Sequence, residues 1–337
     1  MKAIGYQKSL PIEQAESLQD ISLADPTPSG RDLLVEIKAI SVNPVDAKMR
    51  MRAEPAPGEW QVLGWDAAGI VRSTGPEAEL FTPGDKVWYA GAIDRPGTNS
   101  ELHVVDERLV GSVPATLDFA QAAALPLTSI TAWEILFDRL QVARDEPGDA
   151  TLLIIGAAGG VGSIMVQLAR HLTDLRVIGT ASRPETRSWV EKLGAHEVID
   201  HSRPLSEELK RIGAAAPRYV VGLNKTDLHF KQIVEVIAPQ GKFALIDDPE
   251  PIDVRLLKRK SVSLHWELMF TRSLFTTPDM IEQHRLLEKV SRLVDEGVLQ
   301  TTFNEHFGTI CADHLKRAHA LLESGRSCGK IVLEGFK

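Results

Sequence analysis

The chain has 337 residues, 43% hydrophobic and 25% charged, with a formal net charge of −8. That length allows about two domains, and that composition supplies full apolar cores and excludes a largely disordered chain. The acidic balance excludes an overall bias toward nucleic acid or acidic membrane, and Lys258-Arg259-Lys260 is too short a basic run to reverse it.

Two cysteines, Cys311 and Cys328, are too few for a disulfide framework and fit a reducing cytoplasm, where the protein is expected. Met1 to Leu10 lacks an apolar signal segment, and no run approaches the roughly 18 apolar residues of a membrane span.

From Met1 to about Thr128, turn signals crowd the sequence: Pro26-Thr27-Pro28, Asn43-Pro44, Pro55 to Pro57, Pro83-Gly84 and Arg95-Pro96-Gly97. Between them lie short apolar runs at Leu33 to Ile37, Ala67 to Val71, Lys86 to Tyr89 and Leu102 to Val105, the pattern of a compact, mostly β domain. Asp118 to Ala124 reads as a helix leading to Pro126. Three stretches can carry chemistry. In Ser41 to Asp46 a strand is broken by Asn-Pro, leaving Asn43 and Asp46 on one rim, or forming an Asx turn with no ligand. In Leu63 to Gly69, Trp65 and Asp66 between glycines mark either a tight turn opening on a cleft or a packed tryptophan beside a solvated acid. In Val87 to Gly91, Trp88 and Tyr89 line a pocket or fill a core.

From about Ser129 to Arg272, strands and helices alternate. Ser129 to Leu140 is an apolar helix. Expected strands follow at Leu152 to Ile155, Arg176 to Thr180, His196 to Ile199, Tyr219 to Leu223 and Lys242 to Ile246. The intervening helices follow Gly162 and span Pro184 to Leu193, Ser206 to Ile212 and Phe230 to Ala238, and Ser261 to Phe270 is a last apolar run. This βαβα order implies a parallel sheet covered by helices. The first strand runs into Gly156, Gly159, Gly160, Val161 and Gly162 and then a helix. That order forms a phosphate-binding corner, because glycines admit the pyrophosphate to the backbone and the N–H groups of the helix start point at its charge.

The tip of the second strand selects the cofactor. An NAD-preferring site puts Asp or Glu about 20 residues past the glycines. Here no acid lies between Leu175 and Pro184, and Ser182 and Arg183 stand there, with Arg187 a turn later. A hydroxyl and a cation suit a 2′-phosphate, so NADPH is the expected cofactor. Ser182 to Glu185 also reads as a capping box, and a helix N-terminus is itself a favourable place for an anion.

From about Ser273 onward, Thr277-Pro278-Asp279 opens a helix with an apolar stripe at Ile281, Leu287, Val290 and Leu293-Val294, ended by Gly297. A strand at His306 to Ile310, a helix at Ala312 to Leu322 and a closing strand at Lys330 to Leu333 are expected, returning to the first domain. Arg326 and Lys330 either approach the cofactor phosphate or lie on solvated surface.

Taken together, Asn43-Pro44-Val45-Asp46, Gly64 to Gly69, Pro83 to Val87, Pro126-Leu127-Thr128 with Thr131-Ala132, and Gly156 to Gly162 resemble the medium-chain dehydrogenase/reductase superfamily in chain order over nearly the full length. The Asn-Pro-Val-Asp and Ala-Gly-Gly-Val-Gly variants are similar to its quinone oxidoreductase branch, and the whole chain is similar to bacterial zinc-type alcohol dehydrogenase-like proteins. The resemblance implies an α/β chain. A GroES-like, mostly β catalytic domain would comprise residues 1–128 and 273–337, and a Rossmann doubly wound parallel-sheet domain would comprise residues 129–272. A homodimer paired through the Rossmann sheet edge is common in the family.

By the same resemblance, Asn43, Asp46 and Thr128 lie near the nicotinamide and its ribose, and Ser182 and Arg183 hold the 2′-phosphate. His201 stands where relatives often have a tyrosine near that phosphate. Zinc alcohol dehydrogenases carry a cysteine at the place of Asn43, a histidine at the place of Trp65, and a four-cysteine lobe, whereas this chain has no cysteine before Cys311. Asp46 and Asp66 alone do not make a tetrahedral zinc set, so no metal is expected. The expected activity is a zinc-free, NADPH-dependent hydride transfer to a quinone or α,β-unsaturated carbonyl compound, with Tyr89 or water as proton source. A zinc-dependent alcohol dehydrogenase and a cofactor-binding protein without turnover, like the lens crystallins related to this branch, are the alternatives.

Overall fold

The computed structural model describes residues 1–143 and 150–336. Residues 144–149 and Lys337, which fall within the expected segments 129–272 and 273–337, lie outside the described residues. The chain divides into two units, one formed by Met1–Ile130 with Phe270–Lys337 and the other by Thr131–Met269.

The first unit is built on the long strand Asp32–Val42, which pairs antiparallel with Asp66–Thr74 on one side and Lys330–Glu334 on the other. Lys86–Ala90 and Val110–Ser112 extend the sheet beyond Asp66–Thr74, and Leu102–Asp106 pairs with the start of Asp32–Val42. Three further strands, Gln19–Ser22, Lys2–Tyr6 and Gln61–Val62, make a small separate sheet. The helix expected to open at Thr277-Pro278-Asp279 runs from Glu282 to Asp295; of its expected stripe Leu287, Val290 and Val294 are buried, joined by Leu286, while Leu293 is half-buried and Ile281 is the half-buried N-cap.

Two elements of this unit differ from expectation. Asn43-Pro44 does not end in a turn; it starts the helix Pro44–Arg52, with Asn43 as N-cap and Pro44 in the first turn. Proline costs nothing there, because that N–H has no intrahelical partner anyway. The strand expected at His306 to Ile310 is instead Phe303–His306, since Gly308 turns the chain with φ +91°.

The second unit is a six-stranded, wholly parallel sheet. Its strands in chain order are Thr151–Ile155, Arg176–Thr180, Glu197–Ile199, Tyr219–Gly222, Lys242–Leu245 and Ser263–Trp266. In space they run third, second, first, fourth, fifth, sixth. That is the doubly wound Rossmann order, in which ligands bind beyond the C-terminal strand ends where the winding reverses. Strand residues such as Leu153, Ile178, Val220 and Phe243 are buried with Phe230 and Ile233 of the helix Thr226–Val236, which explains why these strands read as continuous apolar runs. The apolar helix expected from Ser129 starts earlier, at Pro126, and passes at Trp133 into a π-helical stretch, Glu134–Arg139, in which Leu140 N–H bonds the carbonyl of Ile135. Among the described residues no helix is long and apolar enough to cross a membrane.

Candidate functional site

The glycine turn follows the first strand of the parallel sheet. Gly156 takes φ +86°, a left-handed conformation that glycine adopts without strain. Gly159 caps the helix Gly160–Leu172, and the first intrahelical bond runs from Ser163 N–H to the Gly159 carbonyl. The N–H groups of Gly160, Val161 and Gly162 therefore precede that ladder and are available to an anion. Gly162 has a packing role: a Cβ there would lie 2.6 Å from the backbone of Gly156 and Ala157. The helix can seat this close to the turn only without a side chain at that position.

At the tip of the second strand, the helix Pro184–Lys192 starts with Pro184 in its first turn, but its N-cap is Arg183 rather than Ser182. The expected capping box is therefore not formed. Ser182 is exposed one residue earlier, and Thr186 Oγ1 donates to the Arg183 carbonyl at 2.9 Å. Arg183 Nε lies 3.3 Å from the exposed Glu185 carboxylate. Arg187 turns toward the sheet and donates to the carbonyl of Val198 at 2.6 Å. His201 Nδ1 lies 3.0 Å from Thr180 Oγ1, and the same hydroxyl accepts from Gly156 N–H at 3.1 Å. The His229 ring meets His201 edge-on, with ring centroids 5.8 Å apart.

In the first unit, sheet register brings together residues far apart in sequence. Ser41 pairs with Asp66 and Ile331 with Val42, so the end of the central strand, Asn43, lies between Asp66 and Lys330. Asn43 Nδ2 donates to Asp66 Oδ2 at 2.8 Å. Lys330 Nζ donates to Asn43 Oδ1, to Asp66 Oδ2 at 2.9 Å and to the Val42 carbonyl at 3.1 Å. Asp66 Oδ1 accepts from Leu127 N–H at 2.7 Å, tying the first turn of the helix Pro126–Trp133 to the cluster. Lys330 is 3% exposed and Asp66 0%, so this is a buried, hydrogen-bonded ion pair. Neither reading of Lys330, at a phosphate or on solvated surface, matches this pair, and of the two readings of Asp66 the solvated acid is excluded by its burial.

Asp46 sits beside this cluster. Its Oδ2 accepts from Asn43 N–H at 2.6 Å, while Oδ1 is buried and unpartnered among the described residues. Burial pushes its carboxyl from 3.8 up to about 7, against the pull of the Asn43 N–H and the Lys330 charge.

The other expected catalytic residues are also buried. Trp65 packs edge-on against Phe270, and its indole N–H donates to the Ala92 carbonyl at 3.0 Å, so of its two readings the packed tryptophan holds. Tyr89 is buried, with its hydroxyl 2.9 Å from His103 Nδ1; His103 Nε2 lies 2.9 Å from the Pro96 carbonyl, which leaves Nδ1 to accept the Tyr89 proton. Burial raises the Tyr89 pKa well above its ordinary value, the reverse of what a proton donor needs. Thr128 Oγ1 donates to the Leu125 carbonyl at 3.1 Å. Among the described residues no three His, Cys, Asp or Glu side chains converge as a metal site.

A model of the alcohol dehydrogenase GroES-like domain matches residues 29–115, and a model of zinc-binding dehydrogenase matches residues 193–333. A zinc-type alcohol dehydrogenase-like protein of Staphylococcus aureus is 39% identical over 337 residues, covering 99% of both chains. A quinone oxidoreductase of Pseudomonas aeruginosa is 30% identical over 325 residues, 94% of each chain. Among solved structures, a candidate zinc-dependent alcohol dehydrogenase of Rhizobium etli CFN 42 superposes with a TM-score of 0.97 at 59% identity, covering 100% of this chain and 98% of that one. Escherichia coli quinone oxidoreductase, solved in complex with NADPH, superposes with a TM-score of 0.85 at 26% identity, covering 99% and 100%.

Proposed function

The chain belongs to the medium-chain dehydrogenase/reductase superfamily, in its quinone oxidoreductase-like branch, and on that footing we propose that it is a zinc-free, NADPH-dependent reductase of quinones or α,β-unsaturated carbonyl compounds. Membership makes it an oxidoreductase that uses a nicotinamide cofactor on a small-molecule substrate.

The observation that carries the zinc-free reading is the Lys330 ammonium. The positions where zinc enzymes carry cysteine and histidine hold Asn43 and Trp65, whose polar atoms are spent on Asp66, Lys330 and the Ala92 carbonyl. Both Asp66 oxygens are engaged, and Asp46 offers one free oxygen. A dication placed there would meet a fixed ammonium within a few ångströms and too few donors, so these residues do not fit zinc. A lysine held by a carboxylate and an amide is a cation built into the chain.

Without a metal to polarise a carbonyl oxygen, a conjugated acceptor that spreads developing charge over several atoms is the easier substrate. The bound dihydronicotinamide supplies the hydride. The chain supplies binding and orientation. In this reading the glycine turn and the N–H groups of Gly160, Val161 and Gly162 receive the pyrophosphate, and Ser182 and Arg183 receive the 2′-phosphate. Asn43, Asp46 and Thr128 form the rigid frame on the substrate side. Tyr89 leaves the list of proton donors because its hydroxyl is given to His103, so water delivers the proton. The assembly we assign is a homodimer through the last strand of the parallel sheet, Ser263–Trp266. It pairs on one side only among the described residues, and Trp266 is 54% exposed beside exposed Leu268. Cys311 and Cys328 form no disulfide, which fits a cytoplasmic protein.

The test combines metal analysis of purified protein with NADPH and NADH consumption over a panel of quinones, enones and simple alcohols. The reading expects no stoichiometric zinc, oxidation of NADPH in preference to NADH, and turnover of conjugated acceptors that survives chelation. About one zinc per chain with activity restored by zinc sinks it, and so does a strong NADH preference.

A further inference from the structure

The His201–His229 pair has no part in the reading above and sits at an unusual place. His201 follows the third strand, Glu197–Ile199, and its ring is held at the tip of the second strand by Thr180, the last residue of Arg176–Thr180. In a doubly wound sheet, that tip is where the 2′-substituent of the adenine ribose lies. His229 reaches the same place from the first turns of the helix Thr226–Val236. Its Nδ1 is buried and has no partner among the described residues.

The hydrogen-bond chain fixes the proton inventory of the pair. Gly156 N–H donates to Thr180 Oγ1, so the Thr180 hydroxyl is free to donate to His201 Nδ1. The neutral ring then carries its proton on Nε2. If His201 gains a proton, Nδ1–H donates to Thr180 instead, and the hydroxyl, accepting from both sides, turns its own proton outward. One proton gained thus adds a positive charge and frees a second donor. Every charged group facing the pair is nearby in the fold. Asp200 and Lys225 act on His201; Lys225, Asp227, Asp247 and His201 itself act on His229. Asp247 is already bound to Thr226 Oγ1 at 2.6 Å, and Asp200 to Ser202 Oγ at 2.7 Å. Burial is the first cause holding both imidazoles below their ordinary pKa, with Lys225 adding to it.

We propose that His229 is a second imidazole of the cofactor site and that the His201–His229 pair takes up a proton when a 2′-phosphate binds, so that the choice between NADPH and NADH is set by pH. This rests on the NADPH reading. A phosphate dianion placed against two neutral imidazoles favours the charged form of one of them, and the resulting bond is the stronger, charge-assisted kind. NADH, whose ribose carries a neutral hydroxyl there, gives no such pull. NADPH binding then weakens as pH rises above neutrality, by up to about tenfold per pH unit for one linked proton, while NADH binding stays flat.

The experiment is titration of the whole protein with NADPH and with NADH by calorimetry, in buffers of different ionisation enthalpy from pH 6.5 to 8.5. The slope of observed heat against buffer enthalpy counts protons independently of catalysis. Expected are net proton uptake with NADPH approaching one at pH 7.5, uptake near zero with NADH, and affinity for NADPH falling about tenfold or more across the range. H229Q and H201Q should each reduce the uptake. Tighter NADPH binding with no uptake, and a pH profile parallel to that of NADH, overturns the proton linkage and leaves the NADPH reading standing. NADH binding as tightly as NADPH throughout overturns both. Because the decisive comparison is made on the unmodified chain, misfolding of either variant does not blur it.

Discussion

Replacing Lys330 with methionine is the sharpest perturbation of this molecule, because the stem of the side chain is kept and only the ammonium is lost. The ammonium makes three hydrogen bonds, to Asp66 Oδ2, Asn43 Oδ1 and the Val42 carbonyl, inside a cluster that is almost wholly buried. In K330M the Asp66 carboxylate keeps the Asn43 amide and Leu127 N–H but loses the cation bonded to it, and two oxygens lose a donor. Removing one partner of a buried pair costs about 3–5 kcal/mol. The two donors left to Asp66 place this case near the lower figure, about 3 kcal/mol. K330M/D66N should cost less than the sum of its single substitutions by about 2 kcal/mol, since Asn43 can turn its amide and bond the new one. The assay is urea unfolding of the four proteins, following the transition in near-ultraviolet circular dichroism. A K330M cost below about 1 kcal/mol, or strict additivity in the double variant, refutes the reasoning, because either result means that the ammonium is not paired in a dry site.

Three other outcomes are expected. Gly162→Ala forces a methyl against the backbone of Gly156 and Ala157 at 2.6 Å, so stability drops by about 1–3 kcal/mol and NADPH binding, followed by nucleotide fluorescence, weakens. Asp46, raised from 3.8 to about 7 by burial, holds in the native state a proton that the unfolded chain has released; stability therefore falls as pH rises from about 4 to about 7, by at most about 4 kcal/mol, and D46N should flatten that limb of a stability–pH curve. His319, lowered by burial and then by the Arg50 charge from 6.5 to about 3, acts in the opposite sense. Its contribution is intact above pH 6.5 and is lost as pH falls toward 3, so H319L should flatten the acid limb, and an unchanged acid midpoint would count against the buried neutral imidazole.

The parts of this molecule that were legible in its sequence are those whose cause is local. A continuous apolar run followed by glycines and a second apolar run marks a buried parallel strand, a turn and a helix; the strand Thr151–Ile155 falls where that logic puts it, and the helix Gly160–Leu172 starts two residues before the last of the glycines. The helix Pro44–Arg52 was also locally encoded, yet Asn-Pro at its head reads equally as a break. The distinguishing signal was Asp46, three residues after Asn43, whose carboxylate accepts the Asn43 N–H. The site chemistry of the first unit was not local at all. Lys330 meets Asn43 across 287 residues of sequence, because Lys330–Glu334 and Asp66–Thr74 flank the same central strand in registers that only the folded sheet defines. Nothing about a lysine beside Gly329 says that it will be desolvated, and nothing about Asp66 says that it will be the acid that holds it. Each is costly to bury alone and tolerable only with the other. A sequence reading that treats charged residues singly will therefore put both in water. The same reasoning applies to His229, whose place beside His201 is visible only once the helix Thr226–Val236 is seen to carry it to the tip of a strand more than 40 residues earlier in the chain.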